Sequence, residues 1–280
     1  MIVGLLMLGG GAAAGLFGSL LGLGGGILIV PILTFGFDLP LRDAVGVSLV
    51  SVIVTSGASA GVYLERRIAN LRLGMVLELF TAIGALVGGL VAFLLDERVL
   101  AGLFAALLVY VAVTMGRNSA RRAAPPGDAR SAPPPEDAAA PGPSAAFVDR
   151  LSGSDYRVRR LGPGAAGSVG AGVVSALLGI GGGAVLVPVM HLAMGVPLRV
   201  ATATSNLMIG VTATASAIIY LLRGGIDPFV AGPIAIGVFL GATLGSRTAH
   251  RVDVRVLRLL FVVVLLYTAF QMVRRALGVA

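Results

Sequence analysis

Long apolar runs dominate the chain and predict membrane-spanning helices. Uncharged runs near the length of one crossing, which needs about 20 residues rising ~1.5 Å each, occupy residues 44–64, 79–95, 99–116, 200–222, 228–246 and 259–273. Two further runs, 1–37 and 161–198, are too long for one straight helix and contain glycine-rich stretches. We therefore expect an all-α polytopic membrane protein with about 8 to 10 membrane segments, including glycine-broken helices or hairpins.

Composition agrees with this and excludes a soluble enzyme. The chain is 57% hydrophobic and only 12% charged, whereas an ordinary soluble domain carries about 25% charged residues. All 21 basic residues are arginines, and the net charge is +8. In a soluble protein such a charge would indicate nucleic acid, but here a lipid bilayer accounts for it better. With no Cys and with His191 and His250 as the only histidines, we predict no metal site and no cofactor.

The middle of the chain differs from both flanks. Residues 117–163 are rich in Pro, Ala, Ser, Asp and Arg and poor in large apolar side chains, a composition typical of a flexible linker. We therefore divide the chain into a first transmembrane repeat (1–116), a linker (117–163) and a second transmembrane repeat (164–280).

The two flanks resemble each other. A shift that places Gly22 on Gly179 aligns the glycine motif of residues 22–26 with residues 179–183 and Pro31 with Pro188, with no gap. Further positions match in the same register, through loops as well as apolar segments. This indicates two internal repeats, which are typical of transporter folds.

The positions of the arginines indicate whether the two repeats are parallel or inverted in the membrane. Five segments in each half would make the halves inverted, whereas four would make them parallel. Because cytoplasmic loops carry an excess of arginine, the distribution of arginines along the chain favours five segments per half. It places the linker inside the cell and both termini outside.

Each glycine motif predicts a break in a membrane helix. The exposed backbone groups of a break persist only when they are buried in protein or line a wet cavity, and the free N–H groups at a helix start suit an anion. The alternative is that the glycines only let helices pack closely. The candidate anion-binding glycines are Gly24, Gly25, Gly26, Gly181, Gly182 and Gly183.

Polar residues follow each motif. Ser48 and Ser205 occupy matching positions, and together with Asn206 they are further candidates for binding the anion. Arg42 and its match Arg199 precede a span, where they either attract anions or anchor a helix end. Glu78 is a lone acid in an apolar segment with Ala235 as its match, so it either carries protons or reaches the membrane interface.

These motifs carry a family resemblance. The duplicated glycine motifs with their prolines, together with the Ala-Thr-Ala-Thr-Ser-Asn stretch of residues 201–206, resemble the TauE/SafE family of sulfite exporters. The likeness covers nearly both halves and omits the linker. It implies a secondary transporter of sulfite, sulfonates such as sulfoacetate, or related small organic anions, in a bacterial inner membrane. The first half departs at residues 46–49, which read Gly-Val-Ser-Leu, so the site is expected to be asymmetric.

The leading hypothesis is therefore a multi-pass anion transporter, not an enzyme, that works by alternating access between the two repeats. A proton or Na⁺ gradient would drive it, because the sequence contains no nucleotide-binding phosphate loop. An uncoupled anion channel and a non-transporting membrane scaffold are the alternatives. No nucleic-acid partner is expected, and the oligomeric state is left open.

Overall fold

The described part of the chain contains ten α-helices. The computed structural model describes residues 2–21, 25–65, 69–121, 151–152, 156–248 and 254–278. In chain order the helices are α1 (Ile2–Leu21), α2 (Gly26–Gly36), α3 (Leu41–Glu65), α4 (Leu71–Ala92), α5 (Glu97–Arg121), α6 (Leu161–Leu178), α7 (Gly183–Pro188), α8 (Leu198–Leu222), α9 (Pro228–Thr248) and α10 (Val254–Ala276). A π-helical turn, Val189–Ala193, extends α7.

Eight of these helices are long and apolar enough to cross a membrane, with candidate spans of 18 to 23 residues. At a rise of 1.5 Å per residue such spans are about 27–35 Å long, close to the ~30 Å hydrocarbon core of a bilayer. Large apolar side chains on their outer faces, such as Leu79, Leu90 and Phe239, are exposed, as lipid-facing residues would be. The short helices are α2 and the combined α7 segment, Gly183–Ala193. The prediction of an all-α polytopic membrane protein with 8 to 10 segments is confirmed.

The two short helices begin where the glycine motifs predict breaks. Helix α1 ends at Leu21 and α2 begins at Gly26, and in the second half α6 ends at Leu178 and α7 begins at Gly183. Pro31 lies inside α2, which continues to Gly36. In the second half the matching Pro188 ends α7, and a π-helical turn follows it directly.

The first helix of each half packs along the fourth helix of the other half. A Cβ added at Gly241 in α9 would meet the carbonyl oxygen of Ala12 in α1, and one at Gly88 in α4 would lie 2.6 Å from that of Val173 in α6. At these contacts the two backbones approach too closely for any side chain. The glycine pairs Gly84/Gly88 and Gly241/Gly245 are therefore packing faces, as their spacing predicts.

The order of these contacts gives the helix directions. Gly84 and Gly88 of α4 meet Val169 and Val173 of α6 in the same order, so the two helices run parallel. Helix α1 is likewise parallel to α9, with Leu8 at Gly237 and Ala12 at Gly241. Helix α4 is also parallel to α8, because Gly74 meets Thr204 and Gly89 meets Ile219.

The helix directions make the two halves inverted. Consecutive spans joined by a short loop, such as α8 and α9, run in opposite directions. Helix α1 is parallel to α9. Helices α6 and α8 are both parallel to α4, so α1 and α6 run in opposite directions. Helix α3 is antiparallel to α8, because Gly46 contacts Gly225 after the end of α8 whereas Ser56 contacts Asn206 near its start. Since α1 is also antiparallel to α8, α3 is parallel to α1. The chain must return between α1 and α3, which assigns that pass to α2 and gives each half five segments. Common descent of the halves stays a prediction.

The chain just before α6 packs against residues of both halves. The Asn70 side chain donates from Nδ2 to the Leu151 carbonyl at 2.8 Å and to the Tyr156 hydroxyl at 2.7 Å, while its Oδ1 accepts from Leu73 N at the start of α4. Leu151 and Val158 are buried in an apolar cluster with helix residues. Helix α5 extends to Arg121 and α6 begins at Leu161, so both enter the range assigned to the linker. Its flexibility and its cytoplasmic side remain predictions.

Candidate functional site

Both breaks use glycine for a backbone conformation that other residues rarely adopt. Gly25 and Gly182 precede the short helices with φ of 74° and 76°, in the left-handed region that costs an L side chain roughly 1–2 kcal/mol. The Gly25 carbonyl accepts from Leu28 N and Ile29 N, and the Gly182 carbonyl accepts from Val185 N and Leu186 N. The N–H groups of the first helical residues have no intrahelical acceptor by helix geometry and point out of each helix start.

The two breaks meet between the halves. A Cβ on Gly26 would lie 2.6 Å from the Gly179 carbonyl oxygen and 2.7 Å from a Val52 methyl. The other methyl of Val52 would lie 2.7 Å from a Cβ on Gly181. Gly25, Gly26 and residues 181–183 are all buried. The structure thus brings together the predicted site glycines that it describes, and Gly24 lies outside the described residues.

Ser48 joins the two breaks. Its Oγ lies 2.6 Å from the Gly179 carbonyl oxygen and 3.2 Å from the Gly26 carbonyl oxygen, so the hydroxyl donates to the backbone of either break. The side chain is fully buried. Ser48 therefore stabilises the contact between the halves, and its hydroxyl proton is used in a hydrogen bond within the protein.

Ser205, at the matching position of the second half, is different. Its Oγ is buried and has no hydrogen-bond partner among the described residues. It lies 3.4 Å from the place a Cβ would take on Gly183, the first residue of α7. Because buried hydroxyls in folded proteins nearly always have a partner, this hydroxyl is available to a bound group at the start of α7.

Asn206 follows Ser205 on α8 and is also buried, with 7% of its surface exposed. Its backbone carbonyl accepts from Ser56 Oγ of α3 at 2.7 Å. This bond holds α8 in a fixed position along α3, next to the glycine breaks. The three predicted polar residues therefore lie at one interface between the halves, and each has a different role in it.

Arg42 anchors a helix end. Its guanidinium donates to the Leu95 carbonyl and lies 6.0 Å from the centre of the Phe93 ring, while Arg223 lies 5.7 Å from the same ring. Two cations thus flank one aromatic ring at the start of α3. The side chain of Arg199, its match, lies outside the described residues.

Glu78 is a polar centre that the sequence analysis left undecided. Its Oε1 accepts from the Thr212 hydroxyl of α8 at 2.9 Å, and Thr81 Oγ1 lies 3.2 Å from its Oε2. The carboxyl therefore faces the other half. A groove of about 490 Å³ opens beside it, with Gly74, Met208 and eight other residues in its wall. No local sequence signal could pair Glu78 with Thr212, since the two residues are 134 positions apart.

The described residues contain no group of three or more His, Asp or Glu side chains that could hold a metal ion. His191 Nδ1 is hydrogen-bonded to the Val196 carbonyl at 2.9 Å, and His250 lies outside the described residues. The chemistry available at the breaks is therefore that of backbone N–H groups and a free hydroxyl, which suits an oxyanion.

Comparison with known proteins extends this picture. The Sulfite exporter TauE/SafE family profile matches residues 7–272. The probable membrane transporter protein YunE of Bacillus subtilis (strain 168) is 26% identical over 270 residues, which cover 94% of each chain. The probable membrane transporter protein MJ0441 of Methanocaldococcus jannaschii is 27% identical over 265 residues, or 89% of this chain and 88% of the relative.

A more local match is to sulfite exporter TauE/SafE family protein 6 of Arabidopsis thaliana, which is 35% identical over 82 residues, 29% of this chain and 19% of the relative. No solved structure matches the chain significantly. The family profile spans nearly the whole chain, including both glycine breaks. The chain is therefore a multi-pass membrane transporter, not an enzyme, and it belongs to the TauE/SafE family of sulfite exporters.

Proposed function

We propose that the protein is a secondary transporter that moves a small anion, such as sulfite or a sulfonate, across the inner membrane by alternating access. A proton or ion gradient drives it. The observation that carries the proposal is the Ser205 hydroxyl at the start of α7, which is buried and has no hydrogen-bond partner within the part of the chain that the structure describes. Next to it, the starts of α2 and α7 lie buried where the two halves meet, and their backbone N–H groups would be donors for an oxyanion.

The inverted arrangement of the halves supports alternating access. Helix α1 packs on α9 in the same way that α6 packs on α4, so the two halves make equivalent contacts from opposite directions. Two such repeats can exchange conformations and expose one central site to each side in turn.

Burial at the breaks supports a transporter over an open channel. Gly25, Gly26 and Gly181 to Gly183 are buried, and so are Ser48 and Ser205. Ion access to these groups therefore requires a relative movement of the helices that cover them. A channel in its conducting state would instead present a continuous wet path.

Close packing at the breaks limits the size of the anion. The side chain of Val52 lies between Gly26 and Gly181, and Ile209 contacts both Gly181 and Gly183. Such a site suits a compact group such as sulfite or the sulfonate end of a small molecule. The anions that the family name and the resemblance indicate are of this size.

The test is uptake of radiolabelled sulfite, sulfoacetate and sulfate into proteoliposomes, with and without an imposed proton gradient. We expect saturable, gradient-stimulated flux of at least one of them, and we expect Gly182→Leu to abolish it. Gly170→Leu is the control for side-chain size, because Gly170 faces open space on α6. Saturation without gradient-driven accumulation would favour a channel, and the absence of flux for all three anions would favour a scaffold.

A further inference from the structure

Glu78 lies within the membrane-spanning part of α4 and makes its contacts inside the protein. It is the eighth residue of the helix, about 10 Å from the helix start at 1.5 Å per residue. Thr212 Oγ1 donates to its Oε1 at 2.9 Å. The groove beside the carboxyl is otherwise lined mainly by carbon, from residues such as Leu79, Met208 and Val211.

No described cation neutralises this carboxyl. The helices that pack along α4 are α6 and α8. Helix α6 has no titratable residue, and α8 has Tyr220, which donates to the Ala176 carbonyl, and Arg199, whose side chain lies outside the described residues. On α4 itself the other charged residue is Arg72, exposed near the helix start. An ionised carboxylate in such a setting is costly, whereas the neutral acid is not.

The hydrogen bonds around Glu78 can accommodate both protonation states. Thr81 Oγ1 lies 3.2 Å from Glu78 Oε2, 3.1 Å from the Leu77 carbonyl oxygen and 3.0 Å from the Glu78 carbonyl oxygen. When Glu78 is ionised, the Thr81 hydroxyl donates to Oε2. When Glu78 is protonated, Oε2 donates to Thr81 Oγ1, and that hydroxyl turns its own proton to a carbonyl. One proton is thus gained or lost without leaving a buried polar atom unpaired.

The same residues do not suit a metal ion. Hard divalent cations take six or more oxygen ligands. The described side-chain oxygens around the carboxylate are the hydroxyls of Thr81 and Thr212, and Thr204 in the groove wall already accepts from Asn70 N. The groove wall offers mostly carbon beyond them. The chemistry therefore favours a proton over a metal ion.

The carboxyl also joins the two halves. Glu78 belongs to the first half, and Thr212 belongs to α8 of the second half. On α8, Thr212 follows Ser205 by two helical turns, about 10 Å, and Ile209 between them contacts Gly181 and Gly183. One rigid helix therefore contacts Glu78 with one part of its surface and the glycine break with another.

The position that matches Glu78 in the other half carries no acid. Ala235 of α9 occupies the position that matches Glu78, and Thr55 of α3 matches Thr212. We propose that Glu78 is the site at which the coupling proton binds, and that its bond to Thr212 links proton binding to movement of the halves. This rests on the proposed transport function. Because one carboxyl binds one proton and the matching position is Ala235, each transport cycle moves one proton through this site.

A labelling experiment tests proton binding without any substrate. A lipid-soluble carbodiimide reacts with protonated carboxyls, and the groove at Glu78 is bordered by exposed residues such as Met75. We expect mass spectrometry of reconstituted protein to find Glu78 modified, faster at acidic than at alkaline pH, with no modification at this position in Glu78→Gln. Modification that does not depend on pH, or that does not occur at Glu78, would overturn the proposal.

A transport experiment tests coupling. In proteoliposomes loaded with sulfite, Glu78→Gln should lose uphill uptake of labelled sulfite driven by a proton gradient but keep sulfite exchange without a gradient. Thr212→Val should weaken gradient-driven uptake, while Thr55→Val, its match at the other interface, should not. Uphill uptake that persists in Glu78→Gln, or wild-type uptake that follows a Na⁺ gradient alone, would contradict the proposal. If the wild type moves no anion, the proposed function fails, and the labelling result still decides whether Glu78 binds a proton.

Discussion

Ser48 and Ser205 occupy matching positions in two inverted halves, but only the first has its hydroxyl paired. Ser48 Oγ lies 2.6 Å from the Gly179 carbonyl oxygen, whereas Ser205 Oγ is buried without a partner among the described residues. The interface thus has a serine that is hydrogen-bonded to the protein in the first half, and a serine hydroxyl without a described partner in the second half. A site of this kind binds its ligand asymmetrically even though the backbone around it repeats.

Ser205→Ala and Ser48→Ala should therefore have opposite effects. Removing the unpaired Ser205 hydroxyl should leave the free energy of unfolding unchanged or slightly raised, and it should weaken anion binding. Removing the Ser48 hydroxyl should lower the free energy of unfolding by about 1–2 kcal/mol, because a buried carbonyl loses its donor. Thermal unfolding in detergent and the KM for sulfite uptake measure the two effects. Equal destabilisation by both variants would contradict the asymmetry.

Gly182→Ala and Gly224→Ala form a pair matched for backbone strain. Both glycines have positive φ, 76° and 71°, so alanine should destabilise either position by roughly 1–2 kcal/mol. Gly224 lies in the connection after α8 with open space around it. We expect sulfite uptake to fall strongly in Gly182→Ala alone. Comparable losses of uptake in both variants would mean that strain, and not the helix start, is responsible.

Gly172→Ala and Gly170→Ala compare two faces of α6. A Cβ on Gly172 would meet the Thr81 carbonyl oxygen and lie 2.8 Å from Ala85 N, both backbone atoms of α4, whereas a Cβ on Gly170 would meet nothing within 4 Å. The first variant should reduce the yield of folded protein. The second should be neutral or more stable by up to about 1 kcal/mol, because alanine favours helix. Size-exclusion profiles and unfolding temperatures in detergent distinguish them.

Asn70 both begins α4 and holds the segment before α6. Asn70→Asp should keep the bond from Leu73 N, lose the bond to the Leu151 carbonyl and accept from the Tyr156 hydroxyl in place of donating to it. Asn70→Ala should lose all three bonds. We expect faster proteolysis at residues 156–160 in both variants, and a further loss of about 1 kcal/mol of stability in Asn70→Ala. Unchanged proteolysis in Asn70→Asp would show that the segment is held by other contacts.

Local patterns in the sequence predicted the helices and their breaks well, for a physical reason. A run of apolar residues, a glycine cluster and a proline act on the backbone near them, so the starts of α2 and α7 fall within the motifs. The π-helical turn after Pro188 was not predicted, although a proline signals some local disturbance.

Hydrogen-bond partners across the halves could not be predicted in the same way. The acceptor of Ser48 lies 131 positions away, and the donor to Glu78 lies 134 positions away. At such separations the local sequence around either residue does not indicate its partner. Leu151, Tyr156 and Val158 were assigned to a linker because few apolar residues surround them in sequence, yet they pack against the second half or bond to Asn70.

Because α1 packs against α9 and α4 packs against α6, each half depends on the other to complete its packing as the chain is synthesised. The glycine-lined contact of α1 is made with α9, whose Gly237 and Gly241 are added only after most of the chain has been made. Until then α1 resides in the bilayer without its partner, while α4 acquires α6 much sooner. Neither half can therefore complete its own packing alone, and α1, which is made well before α9, is fixed in place late.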